Sequence, residues 1–201
     1  MHKKADNHYP IHEHLAYRWS PRAFADKPVT VETLGSLFEA ARWAASCYNE
    51  QPWRFIVARR EQGDDYEKLL SCLVDANQSW AMQAPVLGLG VAKKTFTLNG
   101  KANNFAQHDL GLATAGLMTQ ATAAGLHMHS MGGIHPQRAA DIYQVPDDFE
   151  VLTGFAIGYL GDPDSLDESM QASERAARTR KPLTETVFSS GWERPAAFLQ
   201  T

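Results

Sequence analysis

The stretch from Ala102 to Ala124, "ANNFAQHDLGLATAGLMTQATAA", is the strongest constraint in this chain. It carries Ala, Leu, Gly and Met on nearly every side of a helical wheel, and Gly125 follows where a helix C-terminus favours glycine. A helix that is apolar all round must be covered all round, by a core or by a partner subunit. The pattern therefore predicts one long apolar helix at a dimer interface. "APVLGLGVA" (Ala84 to Ala92) is a continuous apolar run of buried-strand length.

The remaining elements fall around these two. A helix is expected from Thr30, which can cap it, with Glu32 in the first turn and Leu34, Leu37, Phe38 and Ala41 on one face. "WRFIVARR" (Trp53 to Arg60) reads as a strand, followed by a short helix over Asp65 to Leu73. "PQRAADIYQVP" opens a helix with Pro136, "EVLTGFAIGYLG" (Glu150 to Gly161) is the last strand, and a polar helix covers Leu166 to Ala177. Helices fall between strands at irregular intervals, which predicts an α+β fold with a central mixed or antiparallel sheet flanked by helices. No repeat or linker interrupts the 201 residues, so a single domain is expected, with an N-terminal arm (1–15) and a C-terminal tail (189–201).

Composition narrows the partners. Net charge is −4, so no global cationic field favours nucleic acid or an anionic membrane. No apolar run reaches membrane-spanning length, and the "MHKKADNHYPIHEH" start lacks the apolar stretch of a secretory signal. A cytoplasmic protein is the expectation. Cys47 and Cys72 are the only cysteines, and the histidines His12, His14, His127 and His129 show no metal-ligand spacing, so no metal site is expected.

Four segments could carry chemistry. In "YRWSPRAF", Arg18, Ser20 and Arg22 alternate, so an extended backbone aims two guanidiniums and a hydroxyl at one side, a donor set suited to phosphate. Arg178 and Arg180 repeat that alternation in "ARTRKPL". "HSMGGIHP" places Gly132 and Gly133 after a strand-like segment, where bare N–H groups can approach a flat ligand. "AASCYNEQPWRF" packs Ser46, Asn49 and Gln51 into a connection more polar than a turn requires. Phe96 and Phe105, flanking "TLNGKANN", are candidates for a pocket mouth.

Taken in order, "RWSPRAF", "NEQPWRF", "GLHMHSMGGI" and "RKPLTETVF" resemble the nitroreductase family of FMN-dependent oxidoreductases, from about Arg18 to Phe188. The resemblance implies a nitroreductase-like fold and a homodimer with FMN at the subunit interface. It implies that Arg18, Ser20, Arg22, Arg178 and Arg180 hold the phosphate and ribityl chain. Ser46, Asn49 and Gln51 would line the ring, some of them from the other subunit. Gly132 and Gly133 would offer N–H groups to it, and Trp19 and Asn77 join the cofactor-contacting set. The implied activity takes hydride from NADH or NADPH to flavin N5 and passes it to a nitroaromatic, quinone or related acceptor in ping-pong turnover. No side chain is needed as a catalytic acid or base, because the flavin carries the chemistry. A flavin carrier or sensor without general reductase activity is the alternative. The resemblance assigns no role to Cys47 or Glu50.

Overall fold

The apolar run at Ala84 to Ala92 becomes strand β2 (Val86–Lys93), buried along its length up to Lys93. The computed structural model describes residues 3–199; Met1, His2, Gln200 and Thr201, the outer ends of the expected arm and tail, lie outside the described residues. Strand β1 (Trp53–Arg59) pairs with one side of β2 and β4 (Phe149–Gly158) with the other, while β3 (His127–Met131) pairs with β4. The order is β1-β2-β4-β3 and every pairing is antiparallel. Of the two sheet types expected, the antiparallel one forms.

Helices cover both faces, which is why β2 shows no polar alternation. On one face α2 (Val31–Arg42) and α5 (Ala106–Ala123) bring Leu37, Ala41, Leu110, Ala113 and Leu117 onto Trp53, Ala92, Phe155 and Ile157. On the other, α3 (Asp64–Leu70), α4 (Asp75–Ala81) and α6 (Pro136–Tyr143) bring Tyr66, Leu69, Trp80 and Ala139 onto Ala58, Leu87, Leu89 and Ala156. Gly88 is required here. A Cβ at that position would stand 2.1 Å from Phe155 Cζ, so only glycine lets its cross-strand partner lay a buried ring over the sheet.

Several boundaries follow the sequence. Thr30 Oγ1 accepts from Thr33 N at 3.1 Å and caps α2 as expected. The long helix begins at Ala106 rather than near Ala102. Ala102 pairs with Thr95, and Asn103 turns the chain by donating its N–H to Lys94 O and accepting from Phe105 N. The helix ends at Ala123, with Gly125 left-handed at φ +72°. Its own chain covers only the side bearing Ala106, Leu110, Ala113, Leu117 and Ala121; Gly111, Leu112 and Ala115 remain exposed. The polar helix, α7, is shorter than expected at Glu168–Arg175.

Two helices have no counterpart in the sequence reading. Five residues of the expected N-terminal arm and its margin form α1 (Glu13–Tyr17), which packs across α5. Neither α1 nor the seven-residue α4 is long enough to display a period. Among the described residues no helix is long and apolar enough to cross a membrane.

Candidate functional site

The alternation Arg18-Ser20-Arg22 is realised as extended chain. Arg18, Ser20 and Arg22 are half-buried, while Trp19 and Pro21 point inward. The segment is anchored to edge strand β3, where His129 donates from Nδ1 to Pro21 O at 2.8 Å. The C-terminal segment returns to the same place. Lys3, Arg18, Ser20, Arg22, Arg178 and Arg180 line one cavity of about 230 Å³. Two arginine pairs more than 150 positions apart in sequence thus converge on one cavity.

This cluster has little to neutralise it. None of its five cations makes an ion pair among the described residues. The nearby carboxylate, Glu174, is buried and already accepts from the backbone N–H groups of Arg22 and Ala23 at 3.0–3.1 Å. Burial, and then the charges of Arg178 and Arg180, lower the Arg18 pKa. Buried Trp19 Nε1, in the same wall, lacks a hydrogen-bond partner among the described residues. Arg178 is partly committed, since its Nη1 donates to Lys3 O (2.9 Å) and Ala16 O (2.7 Å). The donors and charges present fit an anion.

Gly132 and Gly133 follow the end of β3, about 13 Å along the strand from His129 at the usual rise per residue. Neither donates its N–H to another described group. Asn77 holds this turn, donating from Nδ2 to Gly133 O at 2.9 Å. Trp80, one turn further along α4, packs against His129 with ring centroids 4.6 Å apart and the planes tilted by 34°. A Cβ on Gly133 would stand 2.5 Å from Asn77 Nδ2, whereas one on Gly132 would meet nothing within 4 Å. One short helix thus supports both the arginine segment and the glycine pair.

Burial, reinforced by Arg22 and Arg18 and opposed by the Pro21 bond, lowers the His129 pKa below 6.5. His129 is therefore neutral in the fold at a pH where the unfolded chain is protonated. The unfolded state binds more protons, so stability is expected to fall as pH drops below about 6.5. Unfolding free energies from pH 7.5 to 5 check this: the wild type should lose stability across the window and His129→Asn should show a flatter slope.

The segment containing Ser46, Asn49 and Gln51 lies elsewhere. It leads into Trp53 of β1, the opposite edge of the sheet from β3. Trp53 aligns with Ala92 and through it with Glu150, whereas His129 aligns with Ala156. The two places are separated by about 20 Å along β4 and three inter-strand spacings of about 4.8 Å. One chain does not bring these residues to the arginine cavity.

That segment is strained and tied down. Tyr48, Asn49 and Gln51 have φ of +51°, +55° and +52°, a left-handed conformation that Asn tolerates but that costs Tyr48 and Gln51 about 1–2 kcal/mol each. Ser46 Oγ accepts from Gln51 N at 3.0 Å, and buried Asp109 of α5 accepts from Cys47 N at 2.9 Å. The Glu50 carboxylate accepts from Thr97 N (3.0 Å) and Thr97 Oγ1 (2.6 Å), with Lys93 at 3.8 Å. The two residues without a role now have one: Glu50 clamps the turn, and Cys47 contributes a backbone N–H. The outcome is an exposed Asn49 and Gln51 beside Tyr48, which is 92% exposed and edge-on to Phe96 at 5.9 Å. Phe105 is also exposed.

Residues 15–159 match the nitroreductase family model. A crystal structure described as an oxidoreductase containing FMN superposes with a TM-score of 0.88 at 34% identity, covering 92% of this chain and 94% of that one. An uncharacterised 15.4 kDa protein in the ask 5′ region of Mycolicibacterium smegmatis is 30% identical over 148 residues, covering 71% of this chain and 99% of its own. The fold is also shared with an FMN- and NADPH-dependent nitroreductase from Sphigopyxis sp. strain HMH, at TM-score 0.68 and 20% identity over 90% of this chain and 98% of that one.

Proposed function

Because the chain belongs to the nitroreductase family, we propose that it is a single-domain, FMN-dependent NAD(P)H oxidoreductase of the cytoplasm that works as a homodimer. The observation that carries this reading is the cavity where Arg18, Ser20, Arg22, Arg178 and Arg180 converge without an available carboxylate. A phosphomonoester suits that donor set in charge and in number of hydrogen bonds. When bound, FMN supplies the hydride chemistry between a nicotinamide donor and a nitroaromatic, quinone or related acceptor.

The chain's own residues bind and orient. Arg18, Arg22 and Arg180 neutralise the phosphate, while Arg178 also ties the C-terminal segment to the N-terminal arm and α1 through Lys3 O and Ala16 O. Trp19 backs that cavity. Gly132 and Gly133 present N–H groups to the flat end of the cofactor, and Asn77 aims them by fixing the Gly133 carbonyl. Such preoriented donors stabilise charge on a bound ring without reorganising. Ser46, Asn49 and Gln51 belong to the same site only if a second copy supplies them, because their own chain holds them at the far sheet edge. The exposed strip Gly111, Leu112 and Ala115 of α5 is the surface assigned to that contact. No side chain is assigned an acid or base role.

Loading the purified protein with FMN and adding NADH or NADPH anaerobically tests the reading. Loss of the oxidised flavin spectrum with either nucleotide is the expected result. A stably bound flavin that neither nucleotide bleaches would favour a carrier or sensor. Failure to bind FMN would remove the proposal.

A further inference from the structure

Lys3 lines the arginine cavity from a segment that the arginine motifs do not include. Several contacts hold it there. Its carbonyl accepts from Arg178 Nη1 at 2.9 Å, and two residues later Ala5 N donates to Ala16 O at 2.8 Å. Its ammonium lies 4.6 Å from the centre of the Trp19 ring, within cation–π range. Ala16 O accepts from both Ala5 N and Arg178 Nη1, so the arm, α1 and the C-terminal segment meet at one carbonyl.

We propose that residues 3–5 form a strap across the phosphate end of the cofactor site, with Lys3 as a fifth cation binding the phosphomonoester. This rests on the FMN reading above. A loose arm would leave Lys3 in water, as an exposed residue such as Lys4 is. Instead Arg178 pins the Lys3 backbone while Trp19 supports its side chain. Desolvation and the neighbouring Arg178 lower the Lys3 pKa, against the attraction of Glu174, so its ammonium stands in a cation-rich site that an anion would relieve. The strap also couples retention to the contact between the N-terminal arm and Arg178. A phosphate neutralised by Lys3 strengthens the closure that Arg178 already makes, and opening the strap exposes the phosphate to solvent.

The test compares FMN with riboflavin, which lacks the phosphate, on the full chain and on Lys3→Ala, Lys3→Glu and Lys3→Arg, read by quenching of flavin fluorescence. Lys3→Ala is expected to weaken FMN binding about tenfold, the size of one charge-assisted hydrogen bond. Lys3→Glu should weaken it further, and Lys3→Arg should restore most of it. Riboflavin affinity should not change, and the salt dependence of FMN binding should become shallower in Lys3→Ala. Unchanged FMN affinity in Lys3→Ala and Lys3→Glu overturns the strap while leaving the FMN reading intact. Equal losses for FMN and riboflavin also overturn it, since they would mark a structural role. A wild-type chain that binds no FMN overturns the parent reading itself, and thermal melts of each variant establish that the folded proteins are being compared.

Discussion

Replacing Arg18 with alanine is expected to weaken FMN binding about a hundredfold while leaving the apoprotein as stable as before, or more so. The binding loss follows from charge. A guanidinium facing a phosphate makes charge-assisted hydrogen bonds worth about 1.5–3 kcal/mol each, and two of them account for a factor of that size. Stability behaves in the opposite way because Arg18 is an expensive group in the empty site. It is half-buried, burial and the neighbouring Arg178 and Arg180 lower its pKa, and it has no carboxylate partner. Its Nη1 donates a long hydrogen bond, 3.3 Å, to Ser20 Oγ. Losing such a bond costs about 1 kcal/mol, which relief of desolvation and like-charge repulsion offsets.

Calorimetry of the two apoproteins, with and without FMN, separates the two effects. The wild type should gain a large rise in Tm on adding FMN, by mass action on the folded state, and Arg18→Ala should gain little. Inorganic phosphate should give a smaller rise in the wild type and almost none in the variant. An Arg18→Ala apoprotein that melts well below wild type, yet binds FMN with unchanged affinity once folded, would make Arg18 a structural residue.

Features with a long period or an unbroken apolar run were legible in the sequence. Strand β2 and helix α5 follow from their unbroken apolar stretches and α2 from the spacing of Leu34, Leu37, Phe38 and Ala41, because burial of both faces of a strand, or of one face of a helix, imposes those patterns directly. The alternation of Arg18, Ser20 and Arg22 was also legible, but its meeting with Arg178 and Arg180 is tertiary, and only the family resemblance anticipated it. Lys3 in "KK" reads as a solvated surface pair, since nothing local shows that Arg178 will fold over its carbonyl. The turn at Tyr48 to Gln51 was hidden for a different reason. Asn tolerates the left-handed region, but Tyr and Gln do not advertise it. Their conformation is held by Ser46, by Glu50 through Thr97, and by Asp109, an acid sitting within an apolar helix. That isolated acid was the available signal, because a carboxylate buried in such a helix needs a donor from another segment.

Co-producing two variants that each bind FMN weakly is expected to regenerate tight flavin sites that neither variant has alone. The prediction rests on the separation of Asn49 and Gln51 from the arginine cavity by the full width of the sheet. If FMN needs both groups, its phosphate lies on one chain and part of its ring contacts lie on another. Arg18→Glu destroys the first half, and Asn49→Ala with Gln51→Ala removes the second, each weakening FMN by about tenfold or more. In a mixed dimer both lesions fall on one site, and the other combines an intact arginine cavity with an intact turn. Random pairing makes about half of the dimers mixed, so about one site in four should bind FMN with wild-type affinity. Titration of the purified mixture by flavin fluorescence, beside each variant alone, reads this fraction directly. A site built within one chain would give no tight class in the mixture. In that case the 46–51 turn would have to move across the sheet to its own chain's cavity, whereas a turn outside the flavin site would show as wild-type FMN affinity in Asn49→Ala with Gln51→Ala alone, leaving its strained backbone to another explanation.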